Sequence, residues 1–127
     1  MTKTTSGVNV SVQVGYAESQ SDPNNMQFVF SYRVRIINRN AFAVKLLSRH
    51  WEIFDSAGQR TVVDGPGVVG QQPEIAPGEV FEYESGCHLH STIGTMQGWY
   101  LMAESETGRN FKVEIPEFSL ETPFVLN

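Results

Sequence analysis

Gly65-Pro66-Gly67-Val68-Val69-Gly70-Gln71-Gln72-Pro73-Glu74-Ile75-Ala76-Pro77-Gly78-Glu79 is the stretch that decides between two folds. It begins as G-x-G-x-x-G, the pattern in which glycine backbone approaches a pyrophosphate while the N-terminus of a following helix supplies free N–H groups and a positive dipole end. Pro73 and Pro77 exclude that helix, because proline lacks a donor and biases its predecessor toward extended backbone. Pro77-Gly78 instead marks a turn between strands. Glu84 stands near the distance at which a ribose-binding acid is sought, yet it lies in a strand-like alternation. The stretch therefore reads as a long loop, from Asp64 to Gly78, joining two strands. Gly65, Gly67 and Gly70 stay candidates for a lesser phosphate contact, made by backbone N–H groups alone in an anion-binding nest. That is the alternative function: a small-molecule binder for pyrophosphate or a nucleotide.

Outward from this loop the period is two. Val8, Val10, Val12, Val14 and Tyr16 alternate with polar residues, as do Phe28, Phe30, Tyr32, Val34 and Ile36. Between Val44 and Asp55 the apolar residues occupy both parities, with Leu47, Trp51 and Ile53 on one and Leu46 and Phe54 on the other. A short strand is expected from Arg60 to Val63, another opening with Phe81 and Tyr83, and another carrying Met96, Tyr100 and Met102. Phe111, Val113 and Ile115 alternate before Pro116, which is expected to end that strand. About seven short strands with turns between them, and no helical period, predict an all-β antiparallel sandwich occupying residues 1–127 as one domain.

Many of these spaced residues also form a pattern. The loop quoted above, continued by Phe81, Tyr83, Ser85-Gly86 and Gly94-x-Met96-x-Gly98-x-Tyr100-x-Met102, resembles the ApaG family. So do Tyr32-x-Val34-x-Ile36-x-Asn38, Leu46-Leu47-x-Arg49-x-Trp51 and Ile115-Pro116-x-Phe118-x-Leu120, so that the likeness covers nearly the whole chain. The resemblance implies a fibronectin type III-like, immunoglobulin-like sandwich with no established catalytic activity. It also implies an association in bacteria with cobalt resistance and magnesium efflux, and, from related domains in eukaryotic F-box proteins and a polymerase-delta-interacting protein, a role in protein–protein interaction.

Composition narrows the partners. With 40% hydrophobic and 18% charged residues the chain is that of a folded globule. A net charge of -5 argues against nucleic acid and anionic membrane, both of which reward basic surfaces. No stretch approaches the ~20 apolar residues of a membrane span, and no apolar segment near the start forms a signal peptide. A single cysteine, Cys87, fits a reducing compartment, and a cytoplasmic protein is expected.

Four sets of side chains could carry chemistry. Cys87 adjoins His88, but successive strand residues point to opposite faces, which argues against a catalytic pair and against an enzyme. His88 and His90 share a parity and are weak metal candidates; a third ligand such as Glu82 or Glu84 lies too far along a strand to join both. No cofactor is expected. Arg33, Arg35 and Arg49 belong to a basic cluster of five residues within seventeen positions, and would form a positive stripe if the strand of Arg49 came alongside that of Arg33 and Arg35. Trp99 and Leu101 oppose the core-facing Met96, Tyr100 and Met102, so they need another cover. The Phe118-to-Val125 tail could supply it; otherwise they form a patch for a protein partner or a homo-oligomer.

Overall fold

The computed structural model describes residues 1–124 of the chain. Nine strands occur among them: β1 (Thr2–Thr5), β2 (Val8–Tyr16), β3 (Phe28–Asn38), β4 (Val44–Asp55), β5 (Arg60–Pro66), β6 (Glu74–Ile75), β7 (Val80–Leu89), β8 (Ile93–Glu104) and β9 (Asn110–Glu121). The count exceeds the expected seven by β1, which has no apolar residue to betray a period, and β6, which spans two residues. Single-turn 3-10 segments at Glu18–Gln20 and Pro23–Asn25 fill the connection between β2 and β3.

All pairings are antiparallel and build two sheets, one ordered β1-β2-β3-β7 and the other β5-β4-β8-β9, with β6 added beside β4. Fully buried Val8, Val10, Phe28, Phe30, Val34 and Ile36 from the first sheet meet Leu46, Tyr100, Met102, Val113 and Leu120 from the second. Trp51 lies edge-on to Tyr32 and Phe118, ring centroids 5.4 and 5.9 Å away. Phe81, expected in the core, is only half-buried at the β7 edge. Between the sheets the hydroxyls of Tyr83 on β7 and Tyr100 on β8 meet at 2.5 Å. Burial holds both phenols above their ordinary pKa, so the pair is a neutral hydrogen bond.

Two bulges overturn the simple period. Leu47 is an extra residue in β4, since Leu46 pairs with Met102 but Ser48 with Leu101. The bulge moves the core face from Val44 and Leu46 to Trp51, which explains the apolar residues on both parities. Pro116 does not end its strand either. β9 runs on to Glu121 with Pro116-Glu117 bulged opposite Gln97, so Ile115 and Phe118 both face inward although three residues apart. Proline fits there because a bulge lacks the ladder bond it cannot make.

Asp55 fastens two turns together at one end. Its carboxylate accepts from the N–H of Ala57 at 3.0 Å, the N–H of His90 at 2.6 Å and the Ser91 hydroxyl at 2.5 Å. Burial alone would raise its pKa, but the bonds from Ser91, His90 and Ala57 outweigh burial and hold it below the usual range. Folding thus favours the carboxylate form. Its stabilisation is complete above the unfolded value of about 3.9 and is lost as the pH falls through the lower folded value. Asp55→Asn is expected to lower unfolding stability at neutral pH by about 1–3 kcal/mol. In urea titrations across the acid range, the gap from wild type should close below about pH 3.9. A second expectation concerns the inter-sheet pair. Tyr100→Phe, which leaves the Tyr83 hydroxyl buried without its partner, should cost about 1–3 kcal/mol. Tyr100→Ala, which also empties ring volume, should cost about 3–5 kcal/mol. Urea midpoints measure both, and an unchanged midpoint for Tyr100→Ala would contradict the core described.

Candidate functional site

The glycine loop begins at Gly67, three residues later than the sequence suggests. Asp64, Gly65 and Pro66 belong to β5, because its ladder with β4 continues to Arg49 opposite Gly65 and Ser48 opposite Pro66. Beyond them the donors turn inward: the Gly67 N–H donates to the Leu47 carbonyl at 2.8 Å, and Val68 and Gln71 bond each other's main chain at 2.8 and 2.9 Å. A side chain at position 67 would lie 1.9 Å from the Gln71 carbonyl oxygen, so the loop's own closure accounts for this glycine. Val68 is buried in the core cluster. Of the three candidate glycines, Gly65 therefore lies in β5, Gly67 has its donor engaged in the loop's closure, and Gly70 is exposed.

Arg49 stands beside this loop rather than beside Arg33 and Arg35. Strand β4 pairs with β5, β6 and β8 in the second sheet, whereas Arg33 and Arg35 lie on β3 in the first. After the Leu47 bulge Arg49 has the inward parity of Trp51, and its Nη1 donates to the carbonyls of Pro66 at 3.1 Å and Gly67 at 3.0 Å. The expected positive stripe is thus not formed. Arg33 and Arg35 instead alternate with acids across the β3–β7 ladder, paired to Glu84 at 3.4 Å and Glu82 at 3.1 Å on the outer face of the first sheet. His88 and His90 lie on the exposed side of the same region, ring centroids 5.3 Å apart. Cys87 faces the other way and is buried, which pushes its thiol up to about 11, the charge of Asp55 adding to the effect. Such a thiol is protonated at neutral pH and a weak nucleophile.

The outer face of the second sheet differs. Trp99 has His50 opposite it on β4 and Glu114 on β9. The His50 ring stacks on the indole at 3.9 Å with the planes 17° apart, and Lys112 Nζ lies 4.3 Å from the ring centroid. These two side chains flank Trp99, and the Phe118-to-Val125 tail, one of the two covers the sequence allows, does not reach it within the described residues. Phe118 and Leu120 point into the core, and Phe124 lies 5.6 Å from Tyr16 and 6.4 Å from Phe28. Val125 is outside the described residues. Leu101, half-buried, sits between Ser48 and Lys112 on the same face.

His50 is the residue sequence reasoning missed. Its Nδ1 is 2.6 Å from Asp64 and its Nε2 3.3 Å from Glu52. Glu52 also accepts from Arg60 at 2.8 Å, and Arg60 and His50 together hold its carboxyl below the usual range. The hairpin register carries the signal: counting back from the turn at Ser56-Ala57-Gly58 pairs Phe54 with Arg60, Glu52 with Val62 and His50 with Asp64. Next to Trp99 a shallow depression of about 290 Å³ is lined by Glu52, Gln97, Gly98, Glu114 and Ile115, and by Lys3 of β1, which is ion-paired to Glu114. Phe54, Val62 and Ile93 extend the apolar surface, each between 44% and 53% exposed.

Comparison with known proteins agrees with this architecture. The family model described as the ApaG domain matches residues 18–104. A protein ApaG of Rhizobium leguminosarum bv. trifolii is 47% identical over 122 residues, covering 96% of this chain and 93% of its own length. One from Paramagnetospirillum magneticum is 46% identical over 121 residues, covering 95% and 92%. Among solved structures, an ApaA protein from Bordetella pertussis superposes with a TM-score of 0.88 at 48% identity, covering 93% of this chain and 95% of that one. The C-terminal domain of wzt, 8% identical with a TM-score of 0.57, shares the fold alone.

Since Gly67 N–H and Arg49 are engaged within the protein, ATP, GTP and NAD are expected to bind no tighter than about 1 mM, equivalent to about 4 kcal/mol. Titration calorimetry checks this. Micromolar affinity abolished by Gly67→Val would place a phosphate site in the loop after all.

Proposed function

Starting from the fact that the chain belongs to the ApaG domain family, we propose that it is a non-catalytic protein-binding module of the cytoplasm. Its contact surface is the outer face of the β5-β4-β8-β9 sheet. One observation carries this reading: the middle of that face holds a half-buried tryptophan clamped between His50 and Lys112, and the exposed Phe54, Val62 and Ile93 lie further along the same face, toward the β4–β5 turn. The middle of the other outer face is an ion-pair ladder. A rigid aromatic at the centre of a patch, with a polar rim, is the usual anchor of a protein interface.

The chemistry of the candidate groups supports a binding role over catalysis. His50 and Asp64 are placed like a base and its orienting acid, but the second ring nitrogen faces Glu52, where a triad would have a hydroxyl or thiol. The one thiol is buried in the core cluster. On this reading the link to cobalt resistance and magnesium efflux that the family resemblance implies belongs to the partner.

Trp99→Ser is expected to weaken partner binding by about 2 kcal/mol or more while the melting temperature stays near that of wild type. Affinity capture with both proteins as bait, followed by thermal melts, measures this. The same proteins retained equally by both baits, with a sharply lowered melting temperature for the variant, would return Trp99 to a purely structural role.

A further inference from the structure

Strand β7 pairs with β3 on one side, and on its outer side nothing in the described residues pairs with it. The other three edges are blunted. β1 is four residues long, β5 ends in Gly65-Pro66, and β9 is bulged at Pro116 with β1 and β2 lying against it. β7 by contrast runs ten residues in unbroken register with β3.

The turn before β7 fixes which main-chain groups face outward. The Glu79 N–H donates to Ala76, the Gly78 N–H to Asn38, and the Asn38 N–H to the carbonyl of Glu79. Stepping by two from that bonded pair, Phe81, Tyr83, Ser85 and Cys87 exchange hydrogen bonds with β3, and the N–H and C=O of Glu82, Glu84, Gly86 and His88 point to the open side. His90 continues the series: its N–H leaves the ladder and is taken by Asp55.

The same residues are self-complementary. Glu82, Glu84, Gly86, His88 and His90 are all exposed, with acids before Gly86 and imidazoles after it. An antiparallel copy centred on Gly86 sets Glu84 opposite His88 of the second copy and Glu82 opposite His90. At the centre the side chains are small, Ser85 facing Cys87, so the backbones meet without obstruction.

We propose that the protein forms a two-fold homodimer in which β7 pairs antiparallel with β7 of a second copy about Gly86. The two first sheets join into one, which removes the exposed edge from each. Gly86 exchanges both its main-chain bonds with its mate, and Glu84 exchanges its own with His88. This surface is separate from the Trp99 face.

Sedimentation equilibrium on four proteins tests the proposal. Wild type should dimerise. His88→Glu opposes carboxylates at both ends of the pairing and should weaken the dimer at least about tenfold. The double variant Glu84→Lys/His88→Glu sets a lysine opposite each new glutamate and should recover most of that loss. Trp99→Ser should leave the dimer constant unchanged, which separates this interface from the partner face. A wild type monomeric at about 1 mM would overturn the proposal. So would a dimer indifferent to His88→Glu, or one that the double variant fails to restore.

Discussion

Strand β8 lies so close to β4 at Gly98 that a Cβ there would stand 1.9 Å from the His50 carbonyl oxygen. Both faces of the second sheet depend on this approach. On the inside it leaves room opposite Trp51 for the indole to lie against Tyr32 and Phe118. On the outside it brings Trp99 level with His50, close enough for the rings to stack. The β9 bulge opposite Gln97 belongs to the same arrangement, since it lets Ile115 and Phe118 both fill the core on either side of the contact. A larger residue at 98 would therefore disturb core and surface together, whereas a change at Trp99 acts on the surface first.

Closure of the sandwich rests on a polar residue. Asn38 is fully buried, and its side-chain N–H groups donate to the carbonyls of Phe42 at 2.8 Å and Ile75 at 2.9 Å, while its oxygen accepts from the Asn40 N–H at 3.0 Å. Its main chain bonds Gly78 and Glu79. One residue thus ties the end of β3 to the turn before β4 and to β6 through its side chain, and to the start of β7 through its main chain. Such a group stabilises only when fully satisfied, and for the same reason it tolerates no shift in register. Arg49 serves the opposite flank in a similar way, holding the Pro66-Gly67 carbonyls beside the Tyr83–Tyr100 pair.

How much of this the sequence discloses depends on whether a residue's role is local. The sandwich, the refusal of a helix at Pro73 and Pro77, and the outward parity of Trp99 and Leu101 are local properties, and they are legible. Bulges are not read so easily. The mixed parities of Val44 to Asp55 and the step from Ile115 to Phe118 both signal a re-phased strand, but the signal is ambiguous until the partner strand is known. The positive stripe fails for a related reason: proximity in sequence to Arg33 and Arg35 says nothing about which sheet the strand of Arg49 joins. The His50–Trp99 stack needs two registers at once, those of β4 with β5 and with β8.

The two sheets divide surface roles by composition. Across the first sheet Arg33, Arg35, Glu82 and Glu84 neutralise one another, leaving a solvated face whose remaining attraction lies in the main-chain groups at its β7 edge. Across the second, charge is gathered around an aromatic, and its edges end in Gly65-Pro66 on β5 and are bulged at Pro116 on β9. An edge recognises another strand through main-chain geometry and accepts any sequence with compatible charges. A face recognises shape and apolar area. In a domain of this size the segregation matters, because edge pairing and face binding, as proposed above, would then not compete for the same residues.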